Sequence, residues 1–86
     1  MQTSIVPVAV YPSTANTLYI RSIALGTPPQ YYYELQNVVG EAVTVLKNGN
    51  VNMTEDQWDN WAAGPITEDE PYQLDCIATN LGLTKA

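Results

Sequence analysis

The sequence predicts a small α+β domain: an antiparallel sheet of three or four strands with an Asn-Gly hairpin, and two short C-terminal helices on one face. Three observations predict it. Apolar residues alternate with period two in the middle of the chain, most clearly in "YYYELQN". Asn48-Gly49 lies between two apolar alternations and is the residue pair that a two-residue type I′ turn favours, because both central residues need positive φ. After Thr54 the apolar period becomes helical, twice over.

The N-terminal segment "SIVPVAVYP" alternates apolar residues around Pro7, which cannot donate to a sheet ladder. Residues 1–16 therefore read as an extended arm or an edge strand, ahead of a single α+β domain over residues 17–86. Residues 17–25, "TLYIRSIAL", are rich in β-branched and aromatic types, with apolar groups on both faces, and predict a central or doubly covered strand. "GTPPQ" is a turn, since its prolines forbid regular pairing. In the next strand Tyr31, Tyr33 and Leu35 share the inner face, while Tyr32, Glu34 and Gln36 share the other. Gly40 separates it from "EAVTVLK"; a turn at Asn48-Gly49 then pairs Lys47 with Asn50, Leu46 with Val51 and Thr44 with Met53.

In "MTEDQWDNW" each residue has a place in a helix start. Thr54 and Gln57 have the spacing of a capping box, and Met53 and Trp58 that of a hydrophobic staple. Glu55 and Asp56 occupy the first turn, where the helix dipole favours negative charge. Trp58, Trp61 and Ala62 form one apolar face, so the tryptophans are expected to face the core, and Gly64-Pro65 stops a helix spanning residues 55–63. A second helix, residues 71–81, takes Asp69 or Glu70 as N-cap and Pro71 in its first turn. Its apolar stripe is Leu74, Ile77, Ala78 and Leu81, and Gly82 supplies a left-handed C′ residue with Leu83 folding back. Cys76 lies one residue off that stripe and reads as a small packed residue.

Composition closes off several functions. With no histidine and one cysteine, the chain has no imidazole base, no paired-thiolate metal site and no internal disulfide. Carboxylates are plentiful, but most belong to helix starts, and no Asp-x-Asp-x-Asp-Gly calcium loop or Gly-rich phosphate loop occurs. The expectation is no catalysis, no cofactor and no metal. Net charge is −6, all of it after Thr54, where seven acids face Lys85 alone. Three basic residues do not supply the cations that nucleic-acid binding requires. No apolar run reaches a membrane span and the N-terminus has no basic signal-peptide start, so synthesis in the cytoplasm without a membrane anchor is expected.

The stretches "TLYIRSIALG", "YYYELQN", "GNVNMTEDQWDNWAAG" and "YQLDCIATNLGLTKA" resemble a class of small proteins encoded among the structural genes of tailed bacteriophages. The shared pattern is a strand pair, a Thr-Glu-x-x-Trp/Phe helix start, an acidic turn with Tyr, and a helix ending Leu-Gly-Leu, over residues 17–86. The resemblance implies a non-enzymatic virion structural component, capsid- or tail-associated and made in the host cytoplasm. Its partners would be other virion proteins and copies of itself in a homo-oligomer or multi-copy assembly. It carries over no catalytic residue. The alternative class is a small acidic inhibitor or regulatory binding protein, including a DNA mimic. For contacts, Ile5, Val6, Val8, Val10 and Tyr11 are expected to lie against a neighbouring subunit, with Tyr19 and Tyr32 as a second patch.

Overall fold

A computed structural model describes residues 1–10, 13–24, 28–62 and 69–86. Strands β1 (Gln2–Val10), β2 (Ser13–Ala24), β3 (Gln30–Val39) and β4 (Ala42–Asn52) form one antiparallel sheet in the order β1-β2-β3-β4. Helices α1 (Glu55–Ala62) and α2 (Asp69–Asn80) follow, so the fold is α+β with a small sheet and two C-terminal helices. The long dimension of 40 Å matches the reach of the longest strand, β2, at about 3.3 Å per residue.

The alternation in β3 places Tyr31, Tyr33 and Leu35 in the core, opposite Ser22, Ile20 and Leu18 of β2. From the helix side Leu74, Cys76, Ile77 and Ala78 are buried, and Trp58, Trp61, Tyr72 and Leu81 pack partly buried against the same cluster. Cys76 is thus a core residue, and burial pushes its thiol pKa up.

Two local expectations need correction. The Asn48-Gly49 pair is not a hairpin turn: β4 runs straight through it, Asn48 opposite Glu34 and Gly49 opposite Tyr33. The reversal lies at Gly40-Glu41, between the paired Val39 and Ala42, with Gly40 at φ +60°. The pairings Lys47–Asn50, Leu46–Val51 and Thr44–Met53 therefore do not form. Glycine serves a second purpose at position 49, where the ring of Tyr33 lies over the strand. One extra residue, Leu46, bulges out of β4 between the pairs Leu35–Lys47 and Gln36–Val45.

The placement of the N-terminal segment against a neighbouring subunit is the other. Residues 2–10 take the edge-strand alternative, as β1 of the chain's own sheet. Pro7 is accommodated because the register shifts between Ser4 and Val8, where β1 carries extra residues against β2 and a missing N–H breaks no ladder bond. Ile5 is buried in the common core, and the C-terminal tail pairs back onto β1 at Ile5 and Lys85.

The helix ends follow the sequence closely. Thr54 N–H donates to Gln57 Oε1 at 2.9 Å and Gln57 N–H donates to Thr54 Oγ1 at 3.1 Å, the reciprocal capping box. Met53 is buried just before it. The second helix begins at Asp69, two residues before Pro71, so its cap precedes the Asp69 or Glu70 expected and lies outside the described residues. The Gly64-Pro65 stop also lies outside them. At the far end Gly82 has φ +73°, and Leu83 N–H and Gly82 N–H donate to Ala78 O and Thr79 O at 2.8 and 3.0 Å. That is a Schellman motif.

Candidate protein-contact surface

The helices lie over the sheet face that carries Leu18, Ile20, Tyr31, Tyr33 and Leu35. Strand alternation puts Tyr19, Arg21, Tyr32, Glu34, Gln36 and Asn48 on the opposite face. There Arg21 sits across from Tyr32, and its guanidinium carbon is 4.9 Å from the centroid of the Tyr32 ring. Tyr32 Oη donates to Glu34 Oε2 at 2.6 Å, and Gln36 Nε2 donates to Glu34 Oε1 at 2.7 Å. Those two donors hold the Glu34 carboxyl below its ordinary pKa, the tyrosine first, and the same bond holds the Tyr32 phenol above its own.

The hydrogen bonds fix what the Glu34 carboxyl can do. Both Glu34 oxygens already accept hydrogen bonds, and its low pKa keeps it a carboxylate, a poor general base at neutral pH. Among the described residues no group of three or more His, Cys, Asp or Glu side chains could hold a metal ion. A tyrosine and an arginine held in fixed orientation are, by contrast, the residue types that anchor protein interfaces.

The expected contact residues separate into three sets. Tyr19 and Tyr32 come together on the open face, half-buried, with Tyr19 opposite Glu34, the residue that Tyr32 bonds. Among the described residues of the N-terminal set only Val6 is freely exposed, at 48%; Val8 and Val10 are half-buried against the core, and Ile5 is fully inside it. Ile5 is therefore unavailable to a neighbour, because its side chain completes this chain's own core. Tyr11 lies outside the described residues. Sequence reasoning placed Glu34 on the face of Tyr32 but missed Arg21 as its companion; the β2–β3 register was the signal. It also missed the exposed Val43 and Val45, since a turn at Asn48-Gly49 hid the full length of β4.

The tryptophan pair is accounted for by packing. Trp58 and Trp61 meet edge to face with centroids 5.9 Å apart, Tyr72 lies 6.0 Å beyond, and the Trp61 indole N–H donates to Asp69 Oδ1 at 3.0 Å. Among the described residues no helix is long and apolar enough to cross a membrane. No family model, curated protein or solved structure matches the chain.

Proposed function

We propose that this chain is a non-enzymatic structural component of a bacteriophage virion, a capsid- or tail-associated accessory subunit that works through protein–protein contacts. The observation that carries the reading is the sheet face away from the helices, on which Tyr32 is held by Arg21 and Glu34 while the core is completed on the other side. An ordered aromatic and cationic patch suits docking onto another protein. The resemblance to phage structural-gene products supplies the setting.

A second reading keeps its own support. Glu55, Asp56, Asp59, Asp69, Glu70 and Asp75 are all exposed on the two helices, a concentration of charge that an acidic inhibitor or DNA mimic would use. Mass spectrometry of purified particles separates the two. The virion reading expects the chain at stoichiometric abundance in particles, and its loss from them in the doubly substituted Arg21→Ala, Tyr32→Ala protein. A chain present in infected-cell lysate and missing from particles overturns that reading and favours the inhibitor.

A further inference from the structure

The two helices are held by different means. From α2, Leu74, Cys76, Ile77 and Ala78 are buried and join Met53 and the sheet side chains in the core. Over residues 55–61 of α1 no side chain is fully buried. Gln57, Trp58 and Trp61 are half-buried there, and the other four residues are exposed.

What α1 does hold is one line along α2. Asp69, Tyr72, Cys76 and Asn80 recur at i, i+3, i+7 and i+11, a stripe beside the Leu74, Ile77 and Ala78 that enter the core. The Trp61 indole N–H donates to Asp69 Oδ1 at 3.0 Å, and its ring lies 6.0 Å from that of Tyr72. The Tyr72 hydroxyl donates to Gln57 O at 2.5 Å. Gln57 Nε2 donates to Asn80 Oδ1 at 3.0 Å and to Cys76 O at 3.5 Å, and Asn80 Nδ2 donates back to Gln57 Oε1 at 2.9 Å. Among the described residues, every hydrogen bond that leaves α1, apart from those to its own cap Thr54, ends on α2.

Attachment of this kind yields locally. Hydrogen bonds between half-exposed groups exchange for bonds to water at little net cost, and segments that bury few apolar groups open before the rest. An eight-residue helix does not hold its shape once undocked. The chain just ahead of it is fixed, because Met53 is buried and its N–H donates to Pro29 O at 3.1 Å.

We propose that α1 is a detachable strap: it lets go of α2 and loses its helix, hinging at Met53 and Thr54, while the sheet and α2 stay folded. Opening bares the stripe of Tyr72, Cys76 and Asn80, and with it the one thiol of the chain, which is buried when the strap is closed. The Tyr72 hydroxyl that bonds Gln57 O also stands against that thiol, so release of Gln57 loosens its cover. This inference does not rest on the virion reading, since it concerns the isolated chain.

Labelling of Cys76 in the full chain by a chromogenic aryl disulfide under native conditions tests it, beside urea unfolding of each variant. Wild-type labelling is expected to run about tenfold or more faster than the globally unfolded fraction allows. Gly40→Ala strains the backbone in the β3–β4 turn, away from α1. It should raise the unfolded fraction by about tenfold and leave the labelling rate unchanged. Gln57→Glu keeps the Thr54 cap and removes the donor to Asn80, so labelling should quicken by about fivefold. Hydrogen exchange should show the α1 amides opening in the same event, while those of residues 74–78 exchange only with global unfolding. Labelling that matches the unfolded fraction, that follows Gly40→Ala or that ignores Gln57→Glu would overturn the proposal, as would α2 amides that open together with α1.

Discussion

Gly49 stands directly opposite Tyr33 across the β3–β4 ladder, and a Cβ at position 49 would lie 3.1 Å from Cε1 of the Tyr33 ring. The ring, 8% exposed, covers the bare backbone of the glycine. A strand glycine is thereby shielded by an aromatic neighbour rather than used as a turn.

The consequence is a contrast between two glycines. Gly49→Val forces the Tyr33 ring aside and is expected to cost about 1–3 kcal/mol by overpacking. At Gly40 no heavy atom lies within 4 Å of a Cβ, so Gly40→Ala costs only the left-handed backbone, about 1–2 kcal/mol. Urea unfolding measures both. Combining Gly49→Val with Tyr33→Ala should recover part of the first penalty and none of the second, and equal responses would count against the ring contact.

The start of α1 does more than a capping box requires. The Gln57 amide accepts from Thr54 N–H while pairing reciprocally with Asn80 on α2: Gln57 Nε2 donates to Asn80 Oδ1 at 3.0 Å, and Asn80 Nδ2 donates to Gln57 Oε1 at 2.9 Å. Asn80 Nδ2 also reaches Asn52 O at the end of β4, at 3.0 Å. Thr54→Ala should cost about 1 kcal/mol through the cap. Gln57→Glu keeps a competent cap but loses the amide donor, so it too should destabilise, by about 1 kcal/mol. If Gln57→Glu unfolds at the wild-type urea midpoint, the tie to Asn80 contributes nothing.

The elements that could be read from sequence are those whose signals are local. Thr54 with Gln57 and Gly82 with Leu83 each specify their own backbone within a turn, and the alternation through Tyr31, Tyr33 and Leu35 gives the inner face directly. Asn48-Gly49 misled because the same dipeptide suits a turn and a strand lying under a ring, and only the non-local Tyr33 distinguishes them. The edge position of β1 was legible from Pro7, but its part in this chain's own core was not: that depends on Ile5 meeting the core and on Lys85 pairing back onto the strand. Within the contact surface, Tyr32 was legible from alternation in β3. Arg21 was not, because its place over the ring follows from the β2–β3 register.

Burial of Ile5 makes the N-terminal strand part of the fold's stability. Deleting residues 1–12 removes that side chain from the core and exposes the β2 edge, so loss of cooperative folding is expected. Ile5→Ala should cost about 2–5 kcal/mol. Val6→Ala, at an exposed position, should stay within about 0.5 kcal/mol of wild type. A truncated chain that keeps a cooperative urea transition would show that β1 is dispensable.

Tyr31 gives the fold an alkaline limit. Its side chain is 1% exposed and its hydroxyl donates to Gln73 Oε1 at 2.5 Å. Burial first, then the neighbouring Cys76, pushes its pKa from 10.0 up to about 12. A phenol that holds its proton more tightly folded than unfolded contributes stability that is complete below the unfolded value. That contribution is lost as pH rises through the folded value, so the window runs from pH 10.0 to about 12. Within it the slope approaches about 1.4 kcal/mol per pH unit for one proton. Tyr72 and Cys76 are also raised, burial first in each, and Tyr32 through its bond to Glu34, so the wild type sums several contributions of the same sign. Comparison with Tyr31→Phe isolates one of them. The substitution should cost about 1 kcal/mol at neutral pH for the lost hydrogen bond. Above pH 10.0, unfolding free energies measured in urea should fall less steeply for Tyr31→Phe than for wild type, so that the two curves meet at about pH 11 and then cross. Parallel curves across that window would mean that burial in the core does not hold the Tyr31 proton.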